Sequence, residues 1–197
     1  MITVLLATRN PKKAKELRQL VRGMPVRFVS LNRFPDIPPV REDGATFRAN
    51  AVKKAVETSR HTILPVLADD SGLEVQALSG CPGVRSARFA GTAQNDRANI
   101  DKLLRAMTGV PDSKRGARFV CCLAFAVDGR LVRVFEGVCD GKIASEPAGR
   151  TGFGYDPVFL PRGRRKTLAQ LSSAQKNRLS HRFRAVSKFQ EWIRTGL

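Results

Sequence analysis

Ala68-Asp69-Asp70-Ser71-Gly72 is the stretch of sequence on which the interpretation of the fold depends. Residues 62–67, which precede it, form a short apolar run of the kind found in buried strands. Residues 73–78, which follow it, alternate apolar and polar side chains as a half-buried strand does. The pattern therefore predicts two strands, with the acidic pair where the first strand ends.

Two adjacent carboxylates at the end of a buried strand repel each other, and each is costly to desolvate unless a cation or hydrogen-bond donors meet it. Successive strand side chains point to opposite faces, so we expect Asp69 and Asp70 to have different roles. One would hold a hard cation such as Mg²⁺ and the other would brace the turn, while Gly72 would let the backbone approach a ligand. The alternative is an Asx-type turn in which the Asp side chains cap their own backbone.

Length and composition indicate a globular protein. A chain of 197 residues can form one sizeable domain or two lobes sharing a sheet, and its hydrophobic fraction of 42% is ordinary for such a protein. No apolar run approaches the ~20 residues of a membrane span, and the N-terminus lacks a basic leader. The four cysteines show no metal-binding spacing. We therefore expect a reduced, cytoplasmic protein without structural zinc or a membrane span.

The formal net charge of +18 points to a polyanionic partner, which could be nucleic acid, an acidic surface or a phosphate-rich small molecule. A basic solvated surface is the simpler alternative. No signature of an RNA-recognition motif, zinc finger or basic zipper accompanies the charge. Charge alone does not choose among these partners.

The N-terminal segment predicts a strand over residues 2–7 and a helix that continues to about Arg22. Between them lies Thr8-Arg9-Asn10-Pro11-Lys12-Lys13, where Asn10 suits the N-cap and Pro11 the first helical position. Free N–H groups at a helix N-terminus with lysines nearby favour phosphate binding. An ordinary capped helix with solvated lysines remains the alternative, because the glycines of a Walker loop are missing.

Further along the chain, Thr46 and Thr92 are the predicted caps of two more helices. A long apolar strand over residues 119–127 is followed by Asp128-Gly129, a two-residue hairpin signal, and by a returning strand. Because strand–helix units precede this hairpin, the pattern predicts a mixed rather than a fully parallel sheet.

The C-terminal third contains a glycine-rich loop with the single tyrosine, Gly149-Arg150-Thr151-Gly152-Phe153-Gly154-Tyr155-Asp156-Pro157. Such a loop can enclose a ring or a phosphate, and a long surface connection is the alternative. Ser172-x-x-Gln175 is a capping box for a short helix. Ser180 would cap the last helix, whose first turn contains Arg182; a cation there opposes the helix dipole, so we expect an acceptor in front of it.

In this order, the motifs resemble those of the Ham1-type inosine triphosphate pyrophosphatases, the non-canonical purine NTP pyrophosphatases, over nearly the whole chain. Each motif is weak alone, and the ordered set is highly specific. The matching segments are Thr8-x-Asn10-x-x-Lys13, Asp43-Gly44-Ala45-Thr46-Phe47, Asn50-Ala51, Ala68-Asp69-Asp70-Ser71-Gly72-Leu73, Pro82-Gly83, Ser86-Ala87-Arg88, Glu146-Pro147, Phe153-Gly154-Tyr155-Asp156-Pro157, Lys176 and Ser180-His181-Arg182.

The resemblance implies an α/β fold: a single elongated domain over residues 1–197, with a long mixed β-sheet flanked by helices, two lobes around a central cleft, and homodimeric assembly. It implies Mg²⁺-dependent cleavage of ITP, dITP and XTP to the monophosphate and pyrophosphate, which would cleanse the nucleotide pool of deaminated purines. Neither a membrane nor a stable nucleic-acid partner is expected. The alternatives are a related pyrophosphatase for other modified nucleotides and a basic nucleic-acid-binding protein.

The resemblance also implies site residues, with Asp70 as the proton acceptor and a metal ligand. The implied triphosphate site comprises Thr8, Arg9, Asn10, Pro11, Lys12, Lys13 and Lys176. The implied substrate pocket comprises Ser71, Phe153, Gly154, Tyr155, Asp156, His181 and Arg182. In one departure from the family pattern, Arg41 stands where a metal-binding Glu is common, and Glu42 is expected to replace it.

For the base, we expect Phe153 or Tyr155 to stack on the purine ring. Arg182 offers only donors, so it would pair with the 6-oxo group of hypoxanthine or xanthine and disfavour the 6-amino group of adenine. The alternative is that Arg182 pairs with an acidic neighbour and only anchors the last helix.

Overall fold

The computed structural model describes residues 1–195 of the chain and has an α/β fold with one mixed sheet, as expected. The α-helices are α1 (Pro11–Leu20), α2 (Phe47–Ser59), α3 (Asp96–Ala106), α4 (Ser173–Leu179) and α5 (His181–Thr195). The strands are β1 (Ile2–Leu6), β2 (Val26–Ser30), β3 (Val66–Val75), β4 (Gly116–Val127), β5 (Arg130–Ile143) and β6 (Phe159–Pro161). Short 3₁₀ helices occupy Leu31–Arg33, Gln76–Leu78, Gly83–Arg88, Asp112–Lys114, Asp156–Val158 and Leu168–Gln170.

The sheet has the strand order β2-β1-β3-β4-β5-β6. Strand β1 pairs in parallel with β2 and β3, whereas β5 and β6 are antiparallel, so the predicted mixed sheet is confirmed. The predicted hairpin between β4 and β5 is also confirmed. Asp128 and Gly129 adopt φ values of 48° and 69°, the left-handed conformation that a two-residue hairpin turn needs.

The chain divides into two compact units. The first unit comprises residues 1–70, 121–137 and the described residues from Arg182 onward, and the second comprises residues 71–120 and 138–181. Phe189 of α5 lies at the centre of the first core, with ring centroids 5.5 Å from Phe135 and 5.9 Å from Phe125. The second core contains residues from α3, β3, β5 and β6, among them Leu73, Leu103, Ile143 and Phe159. The predicted central cleft stays a prediction.

The prediction of two strands around the acidic pair is wrong. Residues 66–75 form the single strand β3, and Asp69 and Asp70 lie in its interior, so the Asx-turn alternative is wrong as well. The predicted first strand also starts too early, because Ile63 is fully exposed. Gly72 is needed for a close approach, but its neighbour is protein: a Cβ there would lie 2.8 Å from Cβ of Ser86, whose hydroxyl accepts a hydrogen bond from the Leu73 N–H at 2.8 Å.

Local capping signals predicted most helix starts correctly. Asn10, Thr46 and Ser172 accept hydrogen bonds from the first-turn N–H groups of α1, α2 and α4, and Gln175 completes the predicted capping box. The predicted cap at Thr92 is wrong, because α3 begins later and Asn95 accepts the hydrogen bond from the Ala98 N–H at 3.0 Å. Within residues 1–195, no helix is both long and apolar enough to cross a membrane.

Candidate active site

Strand β3 places the Asp69 carboxylate in the interior of the first unit, where its side chain has no solvent exposure. It accepts hydrogen bonds from Nζ of Lys13 at 3.3 Å and from Nε of Arg182 at 2.8 Å. Nη1 of Arg182 also pairs with Glu16 of α1. A buried carboxylate is tolerated when cations and donors replace its hydration, which is why the strand continues through this position. Asp69 therefore ties β3 to α1 and α5.

These contacts confirm the expectation of an acceptor in front of Arg182. Two protein carboxylates, Asp69 and Glu16, fill that role at the start of α5. The observation directly supports the alternative in which Arg182 pairs with acidic neighbours and anchors the last helix. A base-reading role for Arg182 stays a prediction.

Asp70, one residue further along β3, is also buried but has a different electrostatic environment. Burial raises the pKa of Asp70 to about 6; the charges of Lys13 and Lys54 oppose this shift and the charge of Glu42 adds to it. A carboxylate with a pKa near neutrality is ionised at physiological pH and still basic enough to accept a proton. Asp70 is therefore suited to the role of general base.

The loop before α2 brings Glu42 rather than Arg41 towards Asp70. Glu42 accepts a hydrogen bond from Nζ of Lys54 at 2.6 Å, whereas the Arg41 side chain is 87% exposed. The loop is fixed by Gly44, whose N–H donates to Oδ1 of Asn50 at 2.7 Å; a Cβ on this glycine would lie equally close to that oxygen. The role of Glu42 as a metal ligand in place of Arg41 stays a prediction.

Asp70 and Glu42 are the donors that a divalent cation would meet here. Asp70 and Glu42 supply two carboxylates within mutual electrostatic influence, and burial of Asp70 creates a cost that a cation would relieve. Mg²⁺ commonly uses one or two carboxylates and completes its octahedral shell with waters and substrate phosphates. In residues 1–195 no group of three or more His, Cys, Asp or Glu side chains could hold a metal, so any ion here would need such additional ligands.

The turn between β1 and α1 has the predicted cap, but the cap uses the N–H groups that were expected to meet a phosphate. Oδ1 of Asn10 accepts from the N–H of Lys12 at 2.9 Å and from the N–H of Lys13 at 3.2 Å. Thr8 accepts from the Asn10 N–H, and Arg9 donates to the carbonyl of Ile37. Lysine side chains and the helix dipole, rather than unused N–H groups, are therefore what this turn offers to an anion.

In the second unit, the glycine-rich loop folds around a buried ion pair. Nζ of Lys176 lies 2.7 Å from Oδ2 of Asp156 and 5.0 Å from the ring centroid of Phe153. Oδ2 of Asp156 also accepts from the Phe153 N–H at 2.8 Å. Gly152, at φ +79°, passes so close to Asp156 that a side chain would collide with it. The structure thus brings together three of the predicted residues of this unit.

The remaining predicted residues of the second unit differ in what they can contact. Tyr155 belongs to the hydrophobic core, is 3% exposed and donates its hydroxyl hydrogen to the carbonyl of Ser86 at 2.9 Å. This position does not fit the expected stacking role, which is left to Phe153. The His181 ring stacks on Phe119 with centroids 4.8 Å apart. Ser71 lies in β3, and Gly154 adopts a left-handed conformation in the loop.

Two residues of the site were missed by sequence reasoning. Glu16 holds Arg182, and Lys54 holds Glu42. The sequence contained a signal for Lys54, because it lies four residues after Asn50 and therefore on the same side of α2, next to the buried alanines. For Glu16, no local signal identifies a partner that lies 166 residues away in the sequence.

The chain is similar to known proteins over nearly its whole length. The model of the Ham1 family matches residues 4–192. A dITP/XTP pyrophosphatase of Geobacillus kaustophilus is 51% identical over 97% of this chain and 94% of its own length. A second dITP/XTP pyrophosphatase, from Oceanobacillus iheyensis, is 43% identical over 99% of this chain and 100% of its own length.

Solved structures are similar over the same extent. A Ham1 protein from Coxiella burnetii superposes with a TM-score of 0.89 at 38% identity, covering 98% of this chain and 99% of that chain. A nucleoside-triphosphatase / dITP/XTP pyrophosphatase from Mycobacterium abscessus superposes with a TM-score of 0.79 at 46% identity, covering 95% of this chain and 98% of that chain.

Proposed function

The chain belongs to the Ham1 family, and from this premise we propose that it is a nucleoside triphosphate pyrophosphohydrolase. Its substrates are dITP, ITP and XTP, which it converts to the monophosphate and pyrophosphate, removing deaminated purines from the nucleotide pool. Full-length relatives named dITP/XTP pyrophosphatase support this assignment. The structural observation that carries it is Asp70, a buried carboxylate with a pKa of about 6 beside Lys13, Lys54 and Glu42.

In the proposed reaction, Asp70 orients a water molecule and accepts its proton as the water attacks the phosphoanhydride. The charges of Lys12 and Lys13 stabilise the negative charge that develops on the phosphates. We propose Mg²⁺ as the cofactor, held by Asp70 and Glu42, where it would neutralise phosphate charge. Asp69 acts as a positioning residue, because it fixes Lys13 and Arg182 by hydrogen bonds.

For the base, we propose that Phe153 stacks on the purine and that His181 and Arg182 contact its polar edge. A donor such as Arg182 would favour the 6-oxo group of the deaminated bases over the 6-amino group of adenine. Lys176, paired with Asp156, is assigned to the triphosphate. Rejection of GTP must depend on its 2-amino group, since guanine also has a 6-oxo group.

A panel of nucleoside triphosphates with Mg²⁺, scored separately for pyrophosphate and orthophosphate, tests the function. We expect pyrophosphate from dITP, ITP and XTP, with much lower rates for the standard nucleotides. The matched control is Asp70→Asn, which should lose activity on every substrate. Orthophosphate release, or a preference for ATP, would contradict the proposal.

We further propose that the protein is a cytoplasmic homodimer without a stable nucleic-acid partner. Sedimentation equilibrium tests the assembly, with an expected mass twice the 21.7 kDa of one chain. A monomeric mass across the accessible concentration range would contradict this proposal.

A further inference from the structure

The first unit has a polar cleft that shares no residue with the candidate active site. It has a volume of about 290 Å³ and lies where α1, β2 and the 3₁₀ helix Leu31–Arg33 meet. Its lining residues are Arg18, Arg27, Phe28, Val29, Ser30 and Arg33. No acidic side chain contributes to this lining.

The three arginines of the cleft come from three different elements and are exposed. None of them forms an ion pair with a carboxylate among residues 1–195, whereas Arg48 pairs with Glu136 and Arg182 with two acidic residues. Three like charges around one cleft repel one another, and a bound anion would relieve that repulsion. Guanidinium groups are well suited to phosphate, because their planar donors bind two oxygens at once.

The backbone of the cleft supplies a second, independent set of donors. Strand β2 is at the edge of the sheet, so within residues 1–195 one of its sides pairs with no other strand. The Ile2 N–H donates to the carbonyl of Pro25 at 2.8 Å, and β1 and β2 are parallel. In a parallel ladder, successive residues of a strand direct their N–H and C=O groups alternately to one side and the other. Pro25 faces β1, and Phe28 and Ser30 are an odd number of positions away from it, so their N–H groups point to the open edge. Both residues line the cleft.

We propose that this cleft binds a compact phosphate-bearing anion, with the phosphates held between the three arginines and the edge N–H groups of β2. A volume of about 290 Å³ is at the lower end for small-molecule sites, which suits a diphosphate or triphosphate chain. The same chemistry would accept free inorganic polyphosphate or the phosphate tail of a nucleotide. The site is separate from the proposed pyrophosphohydrolase activity and does not depend on it.

Hydrogen-exchange mass spectrometry provides a local test, because it reports on residues 26–33 whatever binds elsewhere. Inorganic triphosphate should protect this segment in the wild type. The triple variant Arg18→Ala, Arg27→Ala, Arg33→Ala should require at least about ten-fold more triphosphate for the same protection. The matched control Arg130→Ala, Arg133→Ala, Arg194→Ala removes the same charge from exposed positions of the first unit and should behave like wild type.

Additional ligands identify the source of the anion, and activity measurements show whether this site is independent of the proposed active site. Protection by ATP at lower concentration than by triphosphate would assign the site to nucleotides, and equal concentrations would assign it to the phosphate chain alone. Both triple variants should keep wild-type kcat with dITP, so a failure of the proposed activity is separable from a failure of this site. The proposal is overturned if triphosphate gives no protection, if both triple variants lose it equally, or if only a single-stranded oligonucleotide protects the segment.

Discussion

At the scale of single residues, Asp69 and Asp70 are separated into different roles by one step along β3. Asp69 meets Lys13 and Arg182 directly, so its charge is matched within the protein. For Asp70, desolvation is the largest influence, and it raises the pKa to about 6. The first carboxylate is therefore a structural anchor, and the second, which we propose as the general base, is ionised at neutral pH against the cost of its burial.

Replacing Asp70 by Asn should increase stability at neutral pH while greatly reducing turnover. The pKa of Asp70 is about 6 in the folded protein, above the ordinary value of 3.8. The folded state therefore binds this proton more tightly than the unfolded state does. The resulting contribution to stability is complete below about pH 4 and is lost as the pH rises through 6. Without divalent cations, Asp70→Asn should gain up to about 3 kcal/mol at pH 7.5 and nothing near pH 3.5. Urea unfolding at both pH values in EDTA measures the difference.

The activity of the same variant should fall by about 10²- to 10⁴-fold, the contribution typical of a general base. The control Asp69→Asn should instead lower stability, because it deprives buried Arg182 of a carboxylate partner. An Asp70→Asn protein that remains folded and turns over normally would show that the base has been assigned wrongly.

If Glu42 is a ligand, as proposed, Glu42→Gln should raise the Mg²⁺ concentration for half-maximal rate by about ten-fold or more, because it would remove one of the ion's two carboxylates. The measurement is a Mg²⁺ titration of pyrophosphate release from dITP. Asp43→Asn is the control, since Asp43 pairs with Lys53 at 2.7 Å and should leave the midpoint unchanged. If Glu42→Gln titrates like wild type, Asp70 and the substrate phosphates hold the ion without Glu42.

At the scale of elements, the first turn of α5 contains a residue that two other elements hold. Arg182 joins the start of α5 to β3 through Asp69 and to α1 through Glu16. Arg182→Ala leaves the buried Asp69 and the half-buried Glu16 without this partner and should cost about 3–5 kcal/mol of stability. Glu16→Gln keeps the guanidinium and its bond to Asp69, so it should cost less. Thermal unfolding of both variants measures these effects.

The same two variants separate anchoring from base selection. If Arg182 contacts the 6-oxo group, Arg182→Ala should bring the kcat/KM ratio of dITP to dATP towards one, a loss of about ten- to a hundred-fold. Glu16→Gln should retain the wild-type ratio even though it weakens the anchor. A parallel loss on both substrates in Arg182→Ala would restrict Arg182 to anchoring.

At the scale of the whole molecule, the net charge of +18 should accelerate encounter with a polyanionic substrate. We expect kcat/KM for dITP to fall by about ten-fold between about 0.05 and 0.5 M KCl, because salt screens this attraction. The value of kcat should change little, since the bound complex no longer depends on steering. Initial rates at constant free Mg²⁺ test this, and a parallel fall of kcat would assign the salt effect to a later step.

Features that depend on neighbouring residues could be predicted from the sequence alone. Asn10, Thr46 and Ser172 cap helices through N–H groups two or three residues away, and Asp128-Gly129 forms its turn within four residues. Motif order along the chain was likewise sufficient to predict the family and the α/β fold, both of which are confirmed.

The conformation and environment of the acidic pair depend on contacts that form only when the chain has folded. Whether Asp69 ends a strand or lies inside one depends on donors from Lys13 and Arg182, which are 56 and 113 residues away. The difference between Asp69 and Asp70 also follows from which charges the fold places beside each of them. Desolvation and Coulomb energies depend on distances in space, whereas capping and turn geometry depend on distances along the chain.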